Sequence, residues 1–285
     1  MSRAELIRTL AAFAEPPGRA TSQHAELLGL DRLPSAADHT ELFGFQLYPY
    51  ASVHLGPEGK LGGVARDRIA GFLRVLEVVP PPEPDHLVVL LDAYAQLVEL
   101  DAAGGSYRVR RARTVLLHEH LASWLPRFTA RVAELAVEPY GGWAHHLDGL
   151  LAAEVEELGA APALPAHLRE APGLDGLVGQ GRAAFVDGLL APVRSGLVLA
   201  RADLARAAGE LDLGLRIGER AYTLDALLEQ DVHAVLGWLA GEARRQQRAI
   251  ATTQGPTERF WRERLEATAV LLERELAARE PVRSG

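Results

Sequence analysis

Apolar residues recur along this chain with helical spacing. Ile69, Phe72, Leu73, Leu76 and Val79 fall at i, i+3, i+4, i+7 and i+10, a single stripe that predicts one helix. Leu87, Leu90, Leu91, Tyr94, Leu97 and Val98 repeat the pattern, as do Leu117, Leu121, Trp124, Phe128, Val132 and Leu135. Leu147, Leu151, Val155 and Leu158 predict a fourth helix. A helix with one apolar stripe must bury it against another, and short Pro/Gly breaks favour antiparallel neighbours. The expected fold is therefore all-α, a helical bundle. Tyr48–Leu55 has some strand character, but no partner strand is predicted nearby, so it is assigned to a loop or short helix.

The pattern changes at Gly159, Pro162, Pro165, Pro172, Gly173, Gly176, Gly179 and Gly181. That density of breakers predicts a linker or crossing loop. Beyond it, Arg201–Leu211, Leu224–Glu229 and Val232–Arg248 read as helices. After Gly255-Pro256, Thr257 is the expected N-cap of a last helix through Ala278, with Trp261, Leu265, Thr268, Leu272 and Leu276 on one face. The predicted organisation is a helical core over 1–160, a Pro/Gly-rich segment over 161–190 and a C-terminal helical region over 191–285.

Composition narrows the function classes. At 285 residues and 48% hydrophobic, the chain has ample material for a buried core. The formal charge of −8 argues against nucleic acid as a partner, because phosphate contacts need a basic face. Cysteine is absent, which removes disulfides, thiolate metal sites and a cysteine nucleophile. No apolar run is long enough to insert in a membrane. Ala12-Phe13-Ala14 mimics a signal-cleavage site, but Glu5 and Arg8 interrupt the required apolar stretch, so a cytoplasmic location is expected.

Candidate chemistry is sparse. His118 and His120 are two apart and point about 200° apart on a helix, so they cannot share a metal, and His145-His146 are no better placed. Gly56-Pro57-Glu58-Gly59-Lys60-Leu61-Gly62-Gly63 resembles a phosphate loop, but Leu61 stands where Ser or Thr should bind magnesium, so a turn before a helix near Ala65 is expected. Glu154, Glu156 and Glu157 read as a solvated helix face. Arg201–Arg206 with Gly209 could open a helix-turn-helix, but the acidic balance around it disfavours DNA binding. Neither a catalytic set nor a cofactor or metal site is expected. One feature stands out: the proline run Pro80-Pro81-Pro82-Glu83-Pro84 ends one helix, and Asp85-His86 stand where the next begins. From the residues alone, Asp85 is a helix cap or half of a polar recognition pair.

Glu83-Pro84-Asp85-His86, followed by His120-Leu121-Ala122-Ser123-Trp124, resembles the TorD/DmsD/NarJ family of redox-enzyme maturation chaperones. Their hallmark is Glu-Pro-x-Asp-His at the head of a helix, then His-Leu-x-x-Trp on a later one. Here the first motif is one residue short, while the second fits, some members having one extra residue before the Trp. Tyr48-Pro49-Tyr50-Ala51-Ser52-Val53-His54-Leu55 is similar to the family's proline-aromatic-x-Ser-Val-aromatic segment, and Glu138-Pro139-Tyr140 to its proline-aromatic turn. Together they cover roughly 40–160. The resemblance implies a TorD-like bundle with additional C-terminal helices, and a non-enzymatic chaperone rather than a helical enzyme with a cryptic site or a DNA-binding regulator acting through 195–245. The implied partner is the N-terminal signal, often twin-arginine, or the apo form of a molybdoenzyme catalytic subunit. Tyr50, His54, Asp85 and His86 would line the peptide groove on the surface, with Glu83 and Pro84 supporting and His120 or Trp124 bracing it from behind. Some members exchange helices between protomers, so a homodimer hinged at 159–181 is a further expectation.

Overall fold

A computed structural model describes residues 1–135, 138–250 and 255–279. Among them the fold is all-α, with a lone antiparallel bridge between Tyr50 and His86. The chain divides into two compact units, Met1–Gly56 with Lys60–Arg169, and Pro57–Gly59 with Glu170–Gly285.

The first unit comprises α1 (Arg3–Ala12), α2 (Thr21–Leu27), α3 (Ala36–His39), α4 (Ala51–Leu55), α5 (Gly63–Val75), α6 (Leu87–Ala102), α7 (Tyr107–Val115), α8 (Leu125–Leu135), α9 (Tyr140–Leu158) and α10 (Ala166–Arg169). Serine caps start two of them. Ser2 and Glu5 bond reciprocally across the first turn of α1, and Ser35 and Asp38 do the same for α3. The core is aromatic: Phe43 lies edge-on to Tyr140 (5.1 Å) and Trp143 (5.8 Å), while Trp143 Nε1 donates to Leu10 O at 2.8 Å. That last bond ties α9 to α1, in a region where the sequence pattern predicted no helix.

Several expectations change here. The stripe from Ile69 to Val79 does not make one helix: α5 stops at Val75, well before the prolines, and Val79 is 89% exposed. Glu77 adopts φ 61°, Val78 N–H donates to Leu73 O and Glu77 N–H to Arg74 O, so a left-handed residue closes the helix. The stripe from Leu117 to Leu135 is also broken. A wide π-helical turn over Leu116–Leu121 ends α7, and α8 begins only at Leu125. Glu154 is not solvated. It is fully buried against Arg113, with Tyr94 donating to it and Asp101 and Glu157 completing the network around the guanidinium. A buried carboxylate is tolerable only with such neutralisation.

The second unit contains a 3-10 turn (Asp175–Leu177), α11 (Arg182–Leu189), α12 (Pro192–Ser195), α13 (Arg201–Glu210), α14 (Arg220–Gln230), α15 (Val232–Ala249) and α16 (Pro256–Arg279). The predicted linker segment thus holds α10 and α11, and Leu174, Val186, Leu189 and Leu190 are part of the second unit's core. Thr257 is inside the first turn of α16, which starts at Pro256, so it is not the cap. Gln246 clasps the extended stretch after α12, accepting from Val198 N–H at 3.1 Å and donating to Val198 O at 3.2 Å. No helix among the described residues is long and apolar enough to cross a membrane.

Candidate functional site

The prolines deliver Asp85–Leu87 alongside Pro49–Ser52. Leu87 N–H donates to Pro49 O (2.8 Å) and Ala51 N–H to Asp85 O (3.0 Å), the two bonds of a short antiparallel latch. Ser52 N–H donates to the Asp85 carboxylate at 3.0 Å. Asp85 therefore satisfies the first two N–H groups of α4, which no residue of α4 could reach. It caps the other helix across the junction. His86 caps its own: its Nδ1 accepts from Val88 N–H at 3.2 Å.

This reverses the expected roles. Asp85 is 2% exposed, so it cannot stand on the surface and meet a ligand as predicted. His54 is buried as well, stacked on Trp124 at 4.8 Å and edge-on to Phe128 at 5.5 Å, so it belongs to the packing rather than to a groove wall. Tyr50 and His86 are half-buried with their rings edge-to-face at 4.7 Å. Tyr50 OH donates to exposed Glu83 at 2.9 Å, and Pro84 beside it is buried. Burial, then the hydrogen bond to Glu83, pushes the Tyr50 phenol up to about 12. Burial holds His86 below the usual histidine range, opposed by Glu83 and Asp85, which favours the neutral ring its cap bond requires.

Behind the latch, Trp124 Nε1 donates to His120 O at 2.8 Å. His120 packs on Phe72 at 5.1 Å, and its Nδ1 lies 3.4 Å from Nε2 of His167 on α10. Burial takes His120 down to about 3 and His167 to about 4, so both are neutral. His167 follows Ala166, whose N–H donates to Glu119 at 2.7 Å. Sequence reasoning missed His167 because its partner is forty-seven positions away. No group of three or more His, Asp and Glu able to hold a metal occurs among the described residues, and His145 and His146 are exposed. Gly62 N–H, in the apparent phosphate loop, donates to Ser52 Oγ at 3.2 Å and so braces the latch instead.

An open groove of about 570 Å³ begins beside the latch. Pro81 and Val88 form its near end, with Leu73, Leu76 and Val78 along one wall and Leu97 and Leu100 further on. Glu15 and Asp92 stand at its rim with Arg8, which pairs with both Asp92 (3.4 Å) and Glu99. Of its lining, Val78 and Leu100 are exposed apolar residues. An apolar trough rimmed by carboxylates suits a ligand that is apolar along one face and cationic at one end.

Residues 3–130, which hold the latch, the groove and Trp124, match the family model described as nitrate reductase delta subunit. Both motifs that carry the resemblance, Asp85-His86 and His120–Trp124, lie inside the matched residues. The chain is 30% identical over 116 residues to Chaperone protein TorD of Vibrio vulnificus (strain YJ016), a match covering 36% of this chain and 54% of that protein. The chain thus spans about half the length of the curated relative it matches. No solved structure matches it.

Proposed function

We propose that this protein is a cytoplasmic, non-enzymatic chaperone that binds the N-terminal segment of a molybdenum-cofactor oxidoreductase catalytic subunit. It would hold that subunit until cofactor is inserted, before export or membrane docking. The observation that carries this reading is the family-matched latch opening onto an apolar groove with an acidic rim. In this reading Tyr50, Glu83 and His86 touch the peptide, and its apolar helical face lies along α5 and α6. Asp85 is a positioning residue that holds α4 against the head of α6, and His54, His120 and Trp124 form the rigid wall behind. A twin-arginine segment offers the two guanidiniums that Glu83 and Glu15 would meet.

Calorimetric titration with a synthetic twin-arginine peptide from a molybdoenzyme catalytic subunit of the source genome tests this. Binding should be lost when both arginines are replaced by alanine. Equal heats for the two peptides would remove the charge-recognition reading.

A further inference from the structure

Of the residues that line the groove, one is a cation: Arg8 of α1. Its two acidic partners are held unequally. Nη1 and Nη2 donate to the two oxygens of Glu99 at 2.5 and 2.7 Å, the bidentate fork in which a guanidinium binds a carboxylate most strongly. Asp92 of α6 receives only Nε, 3.4 Å from its Oδ1. The other oxygen of Asp92, Oδ2, accepts from Gln96 Nε2 at 3.0 Å. Glu15, at the same rim, has no side-chain partner among the described residues.

These ion pairs are not what fastens α1 to α6. Ile7 and Leu10 of α1 and Leu90 and Leu91 of α6 are fully buried, and burial of that kind is what holds two helices together. The side chains of Arg8, Asp92 and Glu99 are 38%, 49% and 51% exposed, and ion pairs so exposed add little to stability. Arg8 does change the groove, however. It cancels one of the negative charges that would otherwise face a cationic ligand there.

We propose that Arg8 is an internal competitor for the ligand: a guanidinium of the bound segment takes Asp92 from Arg8, and Arg8 keeps Glu99. The proposal rests on the cationic-segment reading above and adds Asp92 to the acids that meet the ligand. The exchange is nearly balanced in ion pairs, because one contact to Asp92 breaks as another forms. It favours the ligand in geometry. The fork of Arg8 is committed to Glu99, so Arg8 reaches Asp92 only through Nε, whereas an incoming guanidinium brings its whole fork. Arg8 therefore lowers the affinity for a cationic segment without being needed for the fold.

Calorimetric titration of the twin-arginine peptide into wild type, R8Q, D92N and R8Q/D92N tests this, each protein being checked by thermal melting. R8Q should bind roughly fivefold more tightly, the ratio that one charge contact at about 4 Å in water supports. D92N should bind more weakly than wild type by a similar ratio. In the D92N background, R8Q should change affinity by less than about twofold, because the acid for which Arg8 competes is gone. A general rise in negative potential would instead give the same gain with and without Asp92. That result would overturn the competitor role, and so would a wild type that binds the peptide while R8Q binds it equally or less tightly; in either case the client reading stands. Absence of binding to all four proteins would overturn both readings.

Discussion

Two non-helical stretches, Tyr48–Tyr50 in the first unit and 213–218 in the second, are held differently. The first is held by main chain from Asp85–Leu87 and by the Asp85 carboxylate, with Trp124 and His54 packed at its back. The second is exposed and held mainly by Gln230 and Thr223 of α14, with one main-chain bond from Leu213 N–H to Ala208 O. A stretch that is covered and capped positions its neighbours, whereas one held by exposed side chains carries little of the packing. The first should therefore be costly to disturb and the second cheap.

The largest effect is expected behind the first stretch. Trp124→Ala removes a fully buried ring and should cost roughly 3–5 kcal/mol, read as a fall in the urea midpoint. Acid should act on the same wall. The folded values of about 3 for His120 and about 4 for His167 lie below the ordinary histidine value near 6.5. Their contribution is thus complete above that pH and is lost as pH falls through it toward 4, because only the unfolded chain can take up the protons. Thermal midpoints from pH 7 to 4 should drop, and less steeply in His167→Gln.

Asp85→Ala comes next. It leaves a buried N–H of α4 without an acceptor and should cost about 1–3 kcal/mol, more than an exposed cap would. Gln230→Ala is the smallest, under about 1 kcal/mol, because water can reach the Gly214 groups it exposes. If Gln230→Ala were to destabilise more than Asp85→Ala, the contrast between the two stretches would be wrong.

Much of the helical core was legible because α6, α9, α15 and α16 bury a clear stripe and lie between strong breakers. The Asp85-His86 junction was legible as a place, from the prolines, but not as a geometry. Whether Asp85 caps its own helix or another depends on Ser52, thirty-three positions away, and local pattern carries no such information. The same holds for Glu154, whose burial is decided by Arg113 on α7. Breaks at Glu77 and Leu116–Leu121 escaped notice because the apolar period continues through them while the backbone does not.

The central claim is that the half-exposed face of the latch recognises peptide while Asp85 only positions it. The direct test is calorimetric titration of the same twin-arginine peptide into wild type, Tyr50→Ala and His86→Ala, each checked by thermal melting. The account predicts that each variant binds about tenfold more weakly, a loss near 1.4 kcal/mol, while remaining folded at the temperature of titration. Unchanged affinity in both variants would contradict it.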